Sequence, residues 1–304
     1  MPVSDAARET LAELASRAVA LRAACGGNLL ECFGLVPDPR DPRGIRHSLA
    51  CVLAPCTAAV LCGNASFEDV AAWAHHAPPE VLEACGARRN ALGILAAPHP
   101  DTTERIFRGL GAAVLAHHAG AYLALRQLRG PVTFPLAAPG WLPAAAVDGK
   151  AVRGAAGPDG KIPYLLAAAT HGTGVVLAEH MIGPKTNEVP EFGPLLLLNE
   201  YYPLAGHVIT ADAGHTVKAH ATLVCEKLFA HYVLTVKLNT PALYRELDEL
   251  DWKKAPRLVT EERGHGRWER RTVQVLDAPE HVSKRFPHAR QVALVEGTSP
   301  APPA

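Results

Sequence analysis

A change in hydrophobic rhythm constrains this chain more than any other feature. From residue 4 to about residue 129, apolar side chains recur every three or four positions without strand-like alternation, as in helices that bury one face. Residues 130–143 then collect four prolines and two glycines, which cannot continue a helix. Beyond them come short β-prone runs at 144–148, 164–170, 175–182, 207–212 and 231–237, with helical patterns at 189–198 and 216–229. His171-Gly172-Thr173-Gly174 reads as a hairpin turn between the second and third runs. The resulting order, β-β-β-α-β-α-β, is most naturally a mixed sheet covered by helices.

A short helical pattern at 241–250 is followed by β-prone runs at 257–263 and 267–276 around a Gly264-His265-Gly266 turn. A last strand candidate, 291–296, precedes a proline-rich end. The sequence therefore predicts a helical domain over 1–129, a linker over 130–143, a sheet core over 144–250, a β-rich region over 251–297 and a disordered tail over 298–304. The fold class is α+β or α/β. Two helix starts carry a capping-box spacing, Ser66 before Asp69 and Asp101 before Glu104.

At 304 residues and 48% hydrophobic, the chain can bury one sizeable core and a satellite. Its 30 basic residues equal its 30 acidic ones, so no bulk positive field exists to draw in a polyanion. Any nucleic-acid contact must come from local patches. The seven cysteines include no CxxC pair and lie mostly in apolar helical stretches, which predicts reduced, buried thiols. Residues 1–24 read as an amphipathic helix with acids at Asp5, Glu9 and Glu13, unlike a secretory signal. The most apolar run, 48–62, is interrupted by Pro55 and falls short of the roughly 20 residues that cross a bilayer. A cytoplasmic protein without a membrane partner is expected.

Two aspartates close apolar strand candidates: Asp148 in Ala146-Val147-Asp148-Gly149-Lys150, and Asp212 in Val208-Ile209-Thr210-Ala211-Asp212. A carboxylate ending a buried strand must be hydrogen-bonded, paired or bound to metal. Were the strands parallel neighbours, both acids would enter one crevice, where a divalent cation keeps both charged and can assist phosphoryl transfer. Asp-Gly is also an ordinary turn, and Asp212 could simply cap the following helix. Lys150, Arg153, Lys185 and Lys237 stand at strand ends or in loops where they could meet phosphates or merely be solvated. Arg40, Arg43, Arg46 and His47, interspersed with prolines, could track a DNA backbone or form a solvated linker. His215 could orient a water or phosphate, or cap a helix.

Longer motifs surround these residues. They are Phe33-Gly34-Leu35-Val36-Pro37-Asp38-Pro39-Arg40, Arg43-Gly44-Ile45-Arg46-His47, Ala146-Val147-Asp148-Gly149-Lys150 with Arg153-Gly154, and Lys185-Thr186-Asn187-Glu188. Thr210-Ala211-Asp212-Ala213, Ala230-His231-Tyr232-Val233-Leu234-Thr235-Val236-Lys237 and His265-Gly266-Arg267-Trp268-Glu269-Arg270-Arg271 continue the series. In these stretches the chain resembles the ISAs-type branch of bacterial insertion-sequence DDE transposases, from about residue 29 to 295. The resemblance implies an N-terminal helical domain, possibly DNA-binding, followed by an RNase H-like mixed-sheet core with a partial β-rich insertion. It implies that Asp148 and Asp212 are the first two catalytic, metal-binding acids, that Mg²⁺ or Mn²⁺ is the cofactor, and that the partners are DNA at element ends and target. It also implies a homodimer in a synaptic complex and association with the nucleoid when bound to DNA.

The same resemblance places the third acid on a late helix within a Trp-x-Ile-Glu-Asn type of signature, and none occurs before Ala304. A C-terminally truncated, catalytically impaired transposase is therefore the expectation. The alternatives are an inactive remnant that only binds DNA or a partner, and an RNase H-like nuclease with a substitute acid. Glu188 and Glu269 are the candidate substitutes. Glu188 opens a helix, where its charge favours the dipole, and Glu269 shares a strand face with Arg267 and Arg271, which suits an ion-pair ladder. Gly214, Leu238 and Thr240 depart from the family's usual residues.

Overall fold

The computed structural model describes residues 28–43, 45–129, 141–156, 159–183, 188–197, 202–264 and 267–298. The helix expected over 1–24, most of the linker, the turn at 265–266, nearly all of the tail and Lys185 lie outside the described residues. Packing divides the chain into two compact units, Met1–His207 and Val208–Ala304.

The first unit opens with helices Leu29–Gly34, Leu49–Leu61, Phe67–His75, Pro79–Ala84, Pro100–Gly109 and Ala112–Arg129. Side chains of Asn28, Ser48 and Ser66 accept the amide protons of Glu31, Cys51 and Asp69, supplying acceptors that a helix start lacks. The start predicted at Asp101 is corrected: His99 is the cap and Asp101 lies inside the first turn. Pro100 fixes the backbone dihedral of the first helical position and starts the helix earlier. Phe33, Val36, Leu49, Val52, Leu53 and Ile106 form the main apolar cluster of these helices.

Three antiparallel strands follow in the same unit: β1 (Ala144–Ala151), β2 (Tyr164–Thr170) and β3 (Val176–Ile182). The expected hairpin joins β2 to β3, with Gly172 and Gly174 at φ 81° and 66°, a region glycine enters without a Cβ penalty. Helix Ala112–Arg129 packs on β3. At Gly120 the approach is close: a Cβ there would sit 3.0 Å from the Leu177 carbonyl oxygen. Strands β1 to β3 pack with the helical segment, and the division falls between His207 and Val208. The helix predicted over 189–198 is a 3-10 turn, Val189–Glu191, leading into the α-helix Phe192–Leu197, whose Phe192, Leu195 and Leu196 are buried.

In the second unit β4 (Val208–Ala211) and β5 (His231–Leu234) pair in parallel. The connection predicted as one helix over 216–229 is an α-turn, Lys218–Thr222, continued by a π-helical turn, Leu223–Lys227, and Phe229 stands at a φ of 52°. Strand β5 stops short of the expected Lys237 because its partner β4 ends at Ala211. After helix Pro241–Asp248, strands β6 (Leu258–Gly264), β7 (Arg267–Asp277) and β8 (Gln291–Thr298) form an antiparallel sheet. Helix Glu280–Arg285, between β7 and β8, was not anticipated; six residues are too few to show a period. Ala221, Leu243, Val282, Phe286 and Val292 make the core. Gln274, 2% exposed, donates Nε2 protons to the carbonyls of Trp252 and Ala255 at 2.5 and 3.1 Å, satisfying its burial.

Helices in the first unit, together with antiparallel and parallel strand pairing, make this a mixed α+β protein. Of the described cysteines, Cys32, Cys51 and Cys56 are buried thiols as expected, Cys85 and Cys225 are half-buried, and Cys62 is exposed at the end of its helix. No described helix is long and apolar enough to cross a membrane.

Candidate functional site

Asp148 does not end its strand. Strand β1 continues through Gly149, Lys150 and Ala151 because β2 offers partners for each, with Asp148 opposite Ala167 and Lys150 opposite Leu165. Side chains alternate along the strand, so Asp148 and Lys150 share the exposed face while Ala145 and Val147 point into the core. Asp148 keeps 60% of its side chain exposed and pairs through Oδ2 with Lys150 Nζ at 3.0 Å. The hydrogen bond and charge of Asp148 push the Lys150 ammonium above its ordinary pKa. Lys150 is therefore held by the neighbouring acid.

Glu188 belongs to the same unit. It stands at a helix start, as expected, at the cap position of the 3-10 turn Val189–Glu191, and makes no side-chain capping bond there. Its carboxylate lies against the backbone of Gly149. A Cβ at Gly149 would be 2.6 Å from Glu188 Cδ and 2.9 Å from Oε2, and closest of all to Oε1. Sequence reasoning missed this contact; a glycine after Asp148 that is not in a turn was its signal.

Asp212, in the second unit, stands just beyond β4 and caps the 3-10 turn Ala213–His215, its Oδ1 accepting the Gly214 amide proton at 2.9 Å. Of the two roles left open by the sequence, the structure shows the cap. His215 is 1% exposed and its ring lies 5.5 Å from that of His220. Asn239 Nδ2 donates to the Ala213 carbonyl at 2.6 Å and Thr216 Oγ1 to the Thr235 carbonyl at 2.6 Å, fixing the turn after Asp212.

The basic candidates disperse. Arg40 Nε and Nη2 clasp the Asp38 carboxylate at 2.8 and 2.6 Å, and Nη2 also donates to the His47 carbonyl at 2.9 Å. That guanidinium is engaged within its own loop. The Arg40 hydrogen bond holds the Asp38 carboxyl below its ordinary pKa. Arg43 and Arg46 are exposed, as are Arg153, in the turn Arg153–Ala155, and Lys237, beyond β5. Glu269 Oε2 pairs with Arg271 Nη2 at 2.6 Å along β7.

Asp148 and Asp212 are exposed carboxylates, the hard oxygen donors that Mg²⁺ takes. Each belongs to a different unit. Among the described residues no three or more His, Cys, Asp or Glu side chains are grouped to hold one ion.

Residues 30–123, the helical segment, match the DDE_Tnp_1-associated family model. The chain is 28% identical over 275 residues to a Xanthobacter autotrophicus protein named "Uncharacterized protein in dhlA 3'region", covering 87% of this chain and 86% of that protein. It is 26% identical over 252 residues to proteins named "Putative transposase YncI" from Escherichia coli O157:H7 and strain K12, covering 80% of this chain. That match spans 60% of the O157:H7 protein and 94% of the K12 protein. A solved piggyBac transposase synaptic complex with hairpin DNA aligns at a TM-score of 0.30 and 15% identity, over 68% of this chain and 44% of that one, a likeness too slight to fix the fold. The matched family model and the YncI relatives both carry transposase names.

Proposed function

We propose that this chain serves insertion-sequence DNA transposition, with an RNase H-like core of the ISAs type in which Asp148 and Asp212 are metal-binding acids. The observation that carries the reading is the family match over residues 30–123, followed from Ala144 by the strand that bears Asp148. The strand and helix order β-β-β-α-β-α-β supports the core. Mg²⁺, when bound, would activate water and stabilise a leaving oxygen in phosphoryl transfer. The chain's own contribution is to hold carboxylates at Asp148 and Asp212 and to offer Arg43, Arg46, Arg153 and Lys237 to phosphates. Lys150 would exchange Asp148 for a phosphate when DNA arrives.

Fluorescence anisotropy with duplexes from the ends of the surrounding genomic element tests the reading. Binding is expected to prefer end sequences over scrambled duplex and to weaken steeply with salt, each phosphate contact contributing about 0.9 to the logarithmic slope. Replacing Arg43 and Arg46 together by alanine should flatten that slope. Equal binding to scrambled DNA, or no salt dependence, would sink the proposal.

A second reading, DNA binding without strand cleavage, is favoured by one observation. Both acids already hold protein partners: Asp148 Oδ2 pairs with Lys150 Nζ at 3.0 Å, and Asp212 Oδ1 accepts the Gly214 amide proton at 2.9 Å. On that reading the purified chain gives no Mg²⁺- or Mn²⁺-dependent nicking. Metal-dependent cleavage abolished by Asp148→Ala or Asp212→Ala would overturn it.

A further inference from the structure

Gly149 is the residue of β1 that leaves its Cα uncovered, and the Glu188 carboxylate occupies the space a Cβ would need. The backbone on both sides of this contact is anchored. Gly149 pairs with Leu166 of β2, which is 0% exposed, and Glu188 is followed within four residues by Phe192, which anchors its helix at 0% exposure. Strand alternation puts Gly149 on the face of Ala145 and Val147, opposite the face shared by Asp148 and Lys150. A carboxylate seated there reaches Asp148 through the backbone and not through a shared ion.

We propose that Glu188 is a positioning residue for Asp148: its carboxylate, seated on Gly149, fixes the strand segment that aims the acid. The contact joins two segments 39 positions apart in sequence and explains why the residue after Asp148 is a glycine in the middle of a strand, where glycine otherwise weakens pairing. It also removes Glu188 from the candidates for a substitute metal ligand. The inference rests on the reading of Asp148 as a metal-binding acid, and two measurements keep the failures apart.

The first is a stability cycle on the full chain with Gly149→Ala, Glu188→Ala and the double variant, read as thermal midpoints. Gly149→Ala should lower the midpoint modestly, since the Glu188 carboxylate ends a flexible side chain that can yield, and adding Glu188→Ala should recover most of that loss, because the alanine methyl then has room. The second is Mn²⁺ titration followed by electron paramagnetic resonance. Glu188→Ala should weaken Mn²⁺ binding about 10-fold, as expected when support for a ligand is lost, while Glu188→Gln, which keeps the shape, should rescue it. Additive penalties at 149 and 188 would overturn the proposal. So would a Glu188→Gln loss as large as that of Asp148→Asn, which would make Glu188 a direct ligand. If Asp148→Asn leaves Mn²⁺ binding unchanged, the metal reading of Asp148 fails and the positioning role fails with it, whereas the stability cycle still reports whether the 149–188 contact exists.

Discussion

Asp148 and Asp212 follow nearly interchangeable apolar runs, yet the chain treats them differently. Strand β1 carries Asp148 three residues before its end, on an eight-residue ladder against β2. Strand β4 is four residues long and stops before Asp212, which turns its carboxylate back onto the Gly214 amide. The residues that follow make the difference. Gly149, Lys150 and Ala151 find partners in β2, whereas Ala213, Gly214 and His215 close a turn that Asn239 and Thr216 tie down. A strand with a partner beyond its acid leaves that acid on an open face; a strand without one makes the acid part of the turn.

That contrast can be broken by mutation. The largest effect is expected at Ile209, 0% exposed on the short strand β4, where Ile209→Ala should cost about 2–5 kcal/mol in urea unfolding. Val147→Ala, on the longer ladder, removes one carbon fewer and should cost less. A greater loss at Val147 would reverse the comparison. Next comes the cap: Asp212→Ala should cost about 1 kcal/mol, since it strips the turn of its acceptor. Asp148→Ala breaks only a solvent-exposed ion pair and should shift the unfolding midpoint least. Equal midpoints for the two variants would mean that Asp212 does not cap.

The smallest effect concerns acid. His207, in the first unit with Asp148, is buried, and burial holds its pKa below the ordinary 6.5, partly offset by hydrogen bonds with the Ala205 and Leu204 backbone. The unfolded chain takes up a proton near pH 6.5 that the folded chain refuses until lower pH. Stability is therefore full above that value and is lost as pH falls through the folded pKa. His47 acts in the same direction, through burial first and then the charges of Arg40, Arg88 and Arg46. Urea midpoints at pH 7.5 and 5.5 should drop with acid in the parent chain and drop less in His207→Gln. An unchanged slope would remove His207 from the account.

The strands were legible because alternation and turn residues are local signals: the hairpin at 171–174 and the β2 and β3 runs needed only neighbouring residues. Strand ends were not legible, because β1 extends past Asp148 through partners on β2 and β5 stops when β4 runs out. The π-turn at Leu223–Lys227 and the helix Glu280–Arg285 were too short to impose a period. Among the candidate residues, the two aspartates stand out in sequence as acids after apolar runs, whereas the Glu188 seat on Gly149 was not legible, since nothing in a linear pattern pairs residues 39 apart. The clasp of Arg40 on Asp38, two positions away, is as local as a turn and was within reach of the sequence.

The cysteines set the terms on which this protein meets oxidants. Packing raises the thiols of Cys51 and Cys56 to about 11 and 12. At neutral pH the reactive thiolate at either is then roughly one part in ten thousand or less. Peroxide and disulfide exchange act on thiolates, so these sulfurs are shielded by the same apolar contacts that hold the helices together. Cys62 lies exposed a turn and a half further along, at the end of the helix, with no such cover. Storage in air would therefore age the protein from the outside in, through intermolecular disulfides at Cys62 while its helical core stays reduced.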